Sequence, residues 1–95
     1  MNRGRTLTNL SQPDQAISDF NRAIEIAPDI PGAYYDRGLA YLASGNADEA
    51  LADFGRAIQL SPNNAEFYAD RAAAYDAKGE TAKALADCDT AIRLA

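Results

Sequence analysis

The chain has 95 residues, the length of one small domain, and its 47% hydrophobic content is that of a globular rather than a disordered sequence. It holds no histidine and one cysteine, which excludes an imidazole base, a histidine-ligated metal and a disulfide framework within the chain. Nine Lys+Arg against fourteen Asp+Glu leave a net charge of −5, the wrong sign for a general nucleic-acid binder, which needs a basic face against phosphates.

Residues 1–6 contain two arginines with no apolar stretch after them, so the start of the chain does not read as a signal peptide. No later segment approaches the ~18 consecutive apolar residues of a membrane span. The chain is therefore expected in the cytoplasm, without a membrane partner. Residues 1–10 predict a short first helix. Gln12-Pro13 then sets a proline at a first helical position, where its missing N–H and fixed φ are tolerated. Residues 33–44 predict a helix, with Tyr34, Leu39, Ala40, Tyr41 and Leu42 near helical spacing, and Gly45-Asn46 breaks it. Asn46 with Glu49 predicts a capping box opening the next helix. That helix carries Ala50, Leu51, Phe54, Ala57 and Ile58 and ends at Leu60, before Ser61-Pro62-Asn63-Asn64. Gly79-Glu80 is the turn of the last helix pair. No β-branched alternating segment occurs, so no strand is predicted.

Slid against itself by 34 residues, the sequence matches. Residues 31–61 against 65–95 give 14 identities in 31, and residues 1–30 against 35–64 give 10 in 30. The chain therefore divides into a first unit lacking its start (1–30), a complete unit (31–64) and a unit lacking its last three residues (65–95). One helix pair cannot bury its own apolar face; stacked pairs can, and about three are the usual minimum.

The registers carry matching residue types. Gly4, Gly38 and Ala72 are small, as are Ala16, Ala50 and Ala84, and Ala23, Ala57 and Ala91. Tyr34 and Tyr68 share a register, as do Leu7, Tyr41 and Tyr75, then Phe20, Phe54 and Cys88, then Pro28 and Pro62. A helix–turn–helix unit of this period and these residue types resembles the tetratricopeptide repeat over the whole chain. The resemblance implies an all-α solenoid of antiparallel helix pairs, wound as a right-handed superhelix. Small residues let helix axes approach and large ones fill the space between them. One departure recurs. Where the family usually has leucine stand Arg3, Arg37 and Arg71, and a second register holds Asp19, Asp53 and Asp87. The two sets predict an ion pair bridging the helices of each unit, with the planar guanidinium meeting the carboxylate bidentately.

By the same resemblance, the first helix of each unit lines a concave groove. Carried onto this chain, the groove holds Asn2, Arg5, Thr8 and Asn9, then Tyr35, Asp36, Leu39 and Leu42, then Glu66, Ala69, Asp70, Ala73 and Asp76. An apolar strip of Tyr35, Leu39 and Leu42 stands beside the carboxylates of Asp36, Glu66, Asp70 and Asp76. Family members that grip a C-terminal carboxylate use Lys, Asn and Arg where this chain has Met1, Arg5, Asp36, Glu66 and Asp70, so that clamp is missing. A ligand with Lys or Arg and an apolar anchor fits the charge; the competing reading is a solvated acidic surface. The carboxylates do not make an enzyme, because no nucleophile with a base and no Gly-rich phosphate loop accompanies them. Asp70 and Asp76 match no metal-loop spacing, and no cofactor is implied.

The ends are read as open. Leu85, Ile92 and Leu94 are expected to form an exposed apolar stripe on the last helix, which points either to excision from a longer array or to a homodimer or domain swap. Cys88 replaces the phenylalanine of its register and is expected as a small buried hydrophobe, the alternative being an exposed thiol that cross-links two copies. The resemblance thus implies a non-enzymatic protein–protein interaction scaffold that binds a protein or peptide. Homo-oligomerisation through the ends is the first alternative, and RNA binding, as in related 35-residue helical repeats, is disfavoured by the charge.

Overall fold

The computed structural model describes residues 13–95, which form five α-helices; no strand occurs among the described residues. They are α1 (Pro13–Ile26), α2 (Pro31–Ala43), α3 (Ala47–Leu60), α4 (Ala65–Ala77) and α5 (Thr81–Leu94). Neighbours in sequence pack against each other, most extensively α2 on α3 and α4 on α5. The chain is an all-α helical-repeat solenoid. No helix among the described residues is long and apolar enough to cross a membrane.

The joints inside each pair follow from backbone chemistry. After α2, the N–H of Gly45 donates to the Leu42 carbonyl at 3.1 Å and that of Asn46 to the Tyr41 carbonyl at 2.8 Å. After α4, Gly79 and Glu80 donate to Asp76 and Tyr75, both at 2.9 Å. This double bond set is the Schellman closure, which needs a left-handed residue just past the helix. Glycine supplies it without a Cβ penalty, at φ 86° for Gly45 and 78° for Gly79. The capping box expected at Asn46 and Glu49 is not formed. Asn46 stands at the N-cap, but its side-chain amide turns back to donate to Ser44 Oγ at 3.2 Å. The residue is already spent closing α2. Helix α2 also starts two residues earlier than the spacing predicted, because Pro31 suits a first helical position. A side-chain cap does form at α4, where Asn64 Oδ1 accepts from the N–H of Glu66 at 3.0 Å.

The core sits between α2, α3 and α4, around Tyr35, Ala50, Phe54, Ala57, Phe67 and Ala74. Phe54 is fully buried, and its ring lies against Gly38. A Cβ on Gly38 would stand 2.7 Å from Cε1 of that ring and 2.9 Å from Cδ1, so the glycine is what lets α2 and α3 close. In the next pair, Ala72 takes the Gly38 register and Cys88 takes the Phe54 register. With the ring gone, a methyl group fits, and Ala72 is 3% exposed.

Across each pair runs a fork of charge. Arg37 Nε and Nη2 donate to Asp53 Oδ2 and Oδ1 at 2.8 and 2.7 Å. Arg71 repeats this on Asp87 at 2.7 and 2.9 Å. The ion pairs read from the register are present in both described pairs; the third, Arg3 with Asp19, includes a residue outside the described part of the chain. Each guanidinium also sits between two tyrosines of its own helix. Arg37 is 5.8 Å from the Tyr34 centroid and 5.9 Å from that of Tyr41, and Arg71 is 5.7 Å from both Tyr68 and Tyr75. The Tyr34 and Tyr68 hydroxyls donate to the Pro28 and Pro62 carbonyls at 2.8 and 2.9 Å, tying each fork to the preceding connection. Both arginines hold their proton more firmly than a free guanidinium, first through the carboxylate hydrogen bond and against partial desolvation. A raised folded-state pKa is a stabilisation present below the unfolded value and lost only above it, so on the arginine side the forks persist through all moderate pH.

Two stability predictions follow from this packing. Gly38→Ala gains about 1 kcal/mol in helix propensity but loses about 1–3 kcal/mol to overpacking, so thermal unfolding should show a net loss. Arg37→Met strands Asp53 in the interior and should cost about 3 kcal/mol, the low end for a buried pair because the arginine side chain is 22% exposed. The double change Arg37→Met with Asp53→Leu should recover most of that loss in urea denaturation.

Candidate binding surface

Helices α2 and α4 are neighbours, and the residues assigned to the groove recur on them at three- and four-residue steps, the spacing of one helical face. On α2, Asp36, Leu39 and Leu42 are half-buried; the two leucines pack partly against the core and leave the rest of their surface open. On α4, Asp70 is half-buried, while Glu66, Ala69, Ala73 and Asp76 are exposed. Asn2, Arg5, Thr8 and Asn9 lie outside the described residues.

Tyr35 is placed differently from the expectation. It is 7% exposed and belongs to the core, with its ring centroid 4.9 Å from that of Phe67 and 5.9 Å from that of Phe54. It therefore lies beneath the face rather than on it. The reason is Phe67, which reaches in from the following pair and covers the ring. The Tyr35 hydroxyl donates to Asp70 Oδ2 at 2.5 Å. That bond fixes one carboxylate of the face and gives the buried phenol the partner it needs.

Four basic side chains pair with carboxylates outside the groove set. Arg37 and Arg71 pair with Asp53 and Asp87 on α3 and α5. Lys78 pairs with Asp48, and Lys78 and Lys83 flank Glu80, at 3.7 and 3.0 Å. The Lys83 hydrogen bond is the first cause that holds the Glu80 carboxyl below its usual range. The groove positions of α2 and α4 hold Leu39 and Leu42 together with Asp36, Glu66, Asp70 and Asp76.

At the far end, α5 presents Leu85 at 64% exposure, Ile92 at 73% and Leu94 at 36%. Cys88 is exposed, not buried as its register suggested; among the described residues no helix lies over it as α4 lies over the inner pair. The structure joins two sets that the sequence kept apart. Asp76 of the groove and Leu85 and Cys88 of the last helix line one hollow, together with Ala84 of the small-residue register and Thr81, which the sequence did not single out. The signal was there as small residues where the previous unit has large ones.

Two family profiles match the chain, each described as a tetratricopeptide repeat, over residues 1–65 and 41–93. No curated protein matches it by sequence. Among solved structures it is similar to a crystal structure of MamA, at 26% identity and a TM-score of 0.87, covering 96% of this chain and 53% of that one. It is also similar to the second tetratricopeptide domain of Spaghetti (RPAP3) bound to the HSP90 peptide SRMEEVD, at 26% identity and a TM-score of 0.89, covering 99% and 87%. The chain spans about half the length of most of the MamA structures it matches.

Removing one atom tests the link between core and face. Tyr35→Phe keeps the ring packing and deletes the bond to Asp70, so stability should fall by about 1–2 kcal/mol, read as a lower urea midpoint with an unchanged slope.

Proposed function

Because this chain belongs to the tetratricopeptide repeat family, whose members generally mediate protein–protein interaction, we propose that it is a non-enzymatic scaffold whose α2 and α4 surface binds a peptide or helix bearing apolar and basic side chains. The observation that carries this reading is the sign of the surface. Asp36, Glu66, Asp70 and Asp76 share the groove positions of α2 and α4 with Leu39 and Leu42. Leucine supplies the apolar contact and the carboxylates select the partner's charge, which governs specificity and encounter rate more than raw affinity.

The domain of Spaghetti holds a peptide with two glutamates and a terminal aspartate. By the family resemblance Asp36, Glu66 and Asp70 take groove positions in this chain, and like charges brought together disfavour such a ligand. The overall −5 charge also argues against an RNA ligand, whose phosphates need a basic surface.

Paired fluorescent peptides test the reading: one with Lys or Arg around an apolar anchor, and one with the same anchor and Glu or Asp in their place. The basic peptide should bind at least tenfold more tightly, a difference of about 1.4 kcal/mol, and added salt should narrow that margin. Asp36→Lys with Glu66→Lys should reverse the preference. Equal binding of the two peptides, or no response to the charge reversal, would sink the assignment.

A further inference from the structure

One core side chain carries a polar atom that packing alone does not require. Tyr35 is 7% exposed, and its ring packs against those of Phe54 and Phe67, where a phenylalanine would fill the same space. The hydroxyl adds the 2.5 Å bond that it donates to Asp70 Oδ2. That bond crosses the seam between the two pairs, from α2 to α4. The arrangement is not repeated in the next unit, where the Tyr35 register holds Ala69. Asp70 also differs from the other acids assigned to the groove on α4. It is half-buried, whereas Glu66 and Asp76 are exposed.

We infer that Tyr35 is a positioning residue for recognition and that Asp70, held by it, is the carboxylate that reads a partner's lysine or arginine. This rests on the reading of the α2 and α4 surface as one that takes basic, apolar peptides, and it names the residue that gives the surface its selectivity. An exposed carboxylate is well hydrated and mobile. Pairing it with a cation costs ordering and desolvation, and solvent screens the gain. Asp70 has had its ordering done by folding, because its donor is an aromatic ring set in the core. A half-buried carboxylate also acts in surroundings less polarisable than water, so it attracts a cation more strongly at the same distance. The bond from the phenol is charge-assisted; it holds the carboxylate in one orientation and leaves its charge in place. A binding group locked from behind in this way is the preorganised element of a surface. Glu66 and Asp76 then contribute longer-range attraction, which acts on the rate of encounter.

The test is a ratio of affinities measured on the full chain. Its numerator is a fluorescent peptide with a leucine anchor flanked by lysines, and its denominator the same peptide with glutamines for the lysines. Tyr35→Phe keeps the ring and should lower the ratio by about threefold or more, with the glutamine peptide bound as before. Asp70→Asn keeps an acceptor for the Tyr35 hydroxyl and removes the charge; it should lower the ratio by about fivefold or more. Glu66→Gln and Asp76→Asn should each lower it by less. Adding Tyr35→Phe to Asp70→Asn should lower the ratio no further, because the hydroxyl acts through that charge. A hydroxyl with only a structural role would weaken both peptides alike and leave the ratio unmoved. That result would overturn the inference, as would an effect of Glu66→Gln equal to that of Asp70→Asn. In both cases the unmodified chain would still prefer the lysine peptide, so the charge reading of the surface would survive. Equal binding of the two peptides by the unmodified chain would instead remove that reading, and this inference with it.

Discussion

Each of the two fully described helix pairs is built around a carboxylate drawn out of water. Asp53 and Asp87 are 4% and 5% exposed, and an ionised group at such depth is tolerable only with its charge met and its oxygens hydrogen-bonded. The guanidinium does both at once, with two parallel donors on the two oxygens. Its own faces are then covered by tyrosine rings one helical turn on either side, and one of those tyrosines reaches the connection before the helix. The fork therefore ties together four parts of each unit: both helices, the aromatic pair and the proline connection. Such a network contributes less to net stability than to geometry. An apolar contact tolerates sliding, whereas a bidentate fork fixes the rotation of one helix against the other.

Small residues do the complementary work. Gly38 against Phe54 shows how narrow the tolerance is, since a single methyl group would meet the ring at less than van der Waals distance. The second pair solves the same problem from the other side, with an alanine opposite a cysteine. The two pairs thus share a backbone plan and a fork but differ in how much side-chain volume lies between their helices. That difference separates a filled interior from an open hollow, and it arises within one chain from the same 34-residue period.

The period, the helix pairs and the Arg–Asp forks were legible in the sequence, because each depends on residues within one unit. Arg37 and Asp53 recur with fixed spacing at Arg71 and Asp87, and no knowledge of the neighbouring unit is needed to pair them. What escaped the sequence depends on contacts between units or on competition for one residue. Tyr35 was placed on the groove by its register, but its exposure is decided by Phe67, which arrives from the next unit. Cys88 was expected inside because its register is interior wherever another helix follows to cover it. Asn46 has the chemistry of a cap, yet its position is already engaged in closing α2. The acidic sign of the groove helices was readable; which of those acids is anchored from below, as Asp70 is by the Tyr35 hydroxyl, was not.

The Schellman joints bear on how the molecule can flex. Asn46 and Glu80 each close one helix and stand at the N-cap of the next, so no residue between the two helices of a pair is left slack. With the fork fixing rotation and the joint fixing separation, a pair behaves as a stiff plate. Between pairs the connections Ala27 to Ile30 and Ser61 to Asn64 are held by the Tyr34 and Tyr68 hydroxyls, and the Tyr35–Phe67 contact joins one plate to the next. A ligand spanning α2 and α4 would therefore meet two plates whose relative placement is set by the Tyr35 ring and its hydroxyl bond to Asp70.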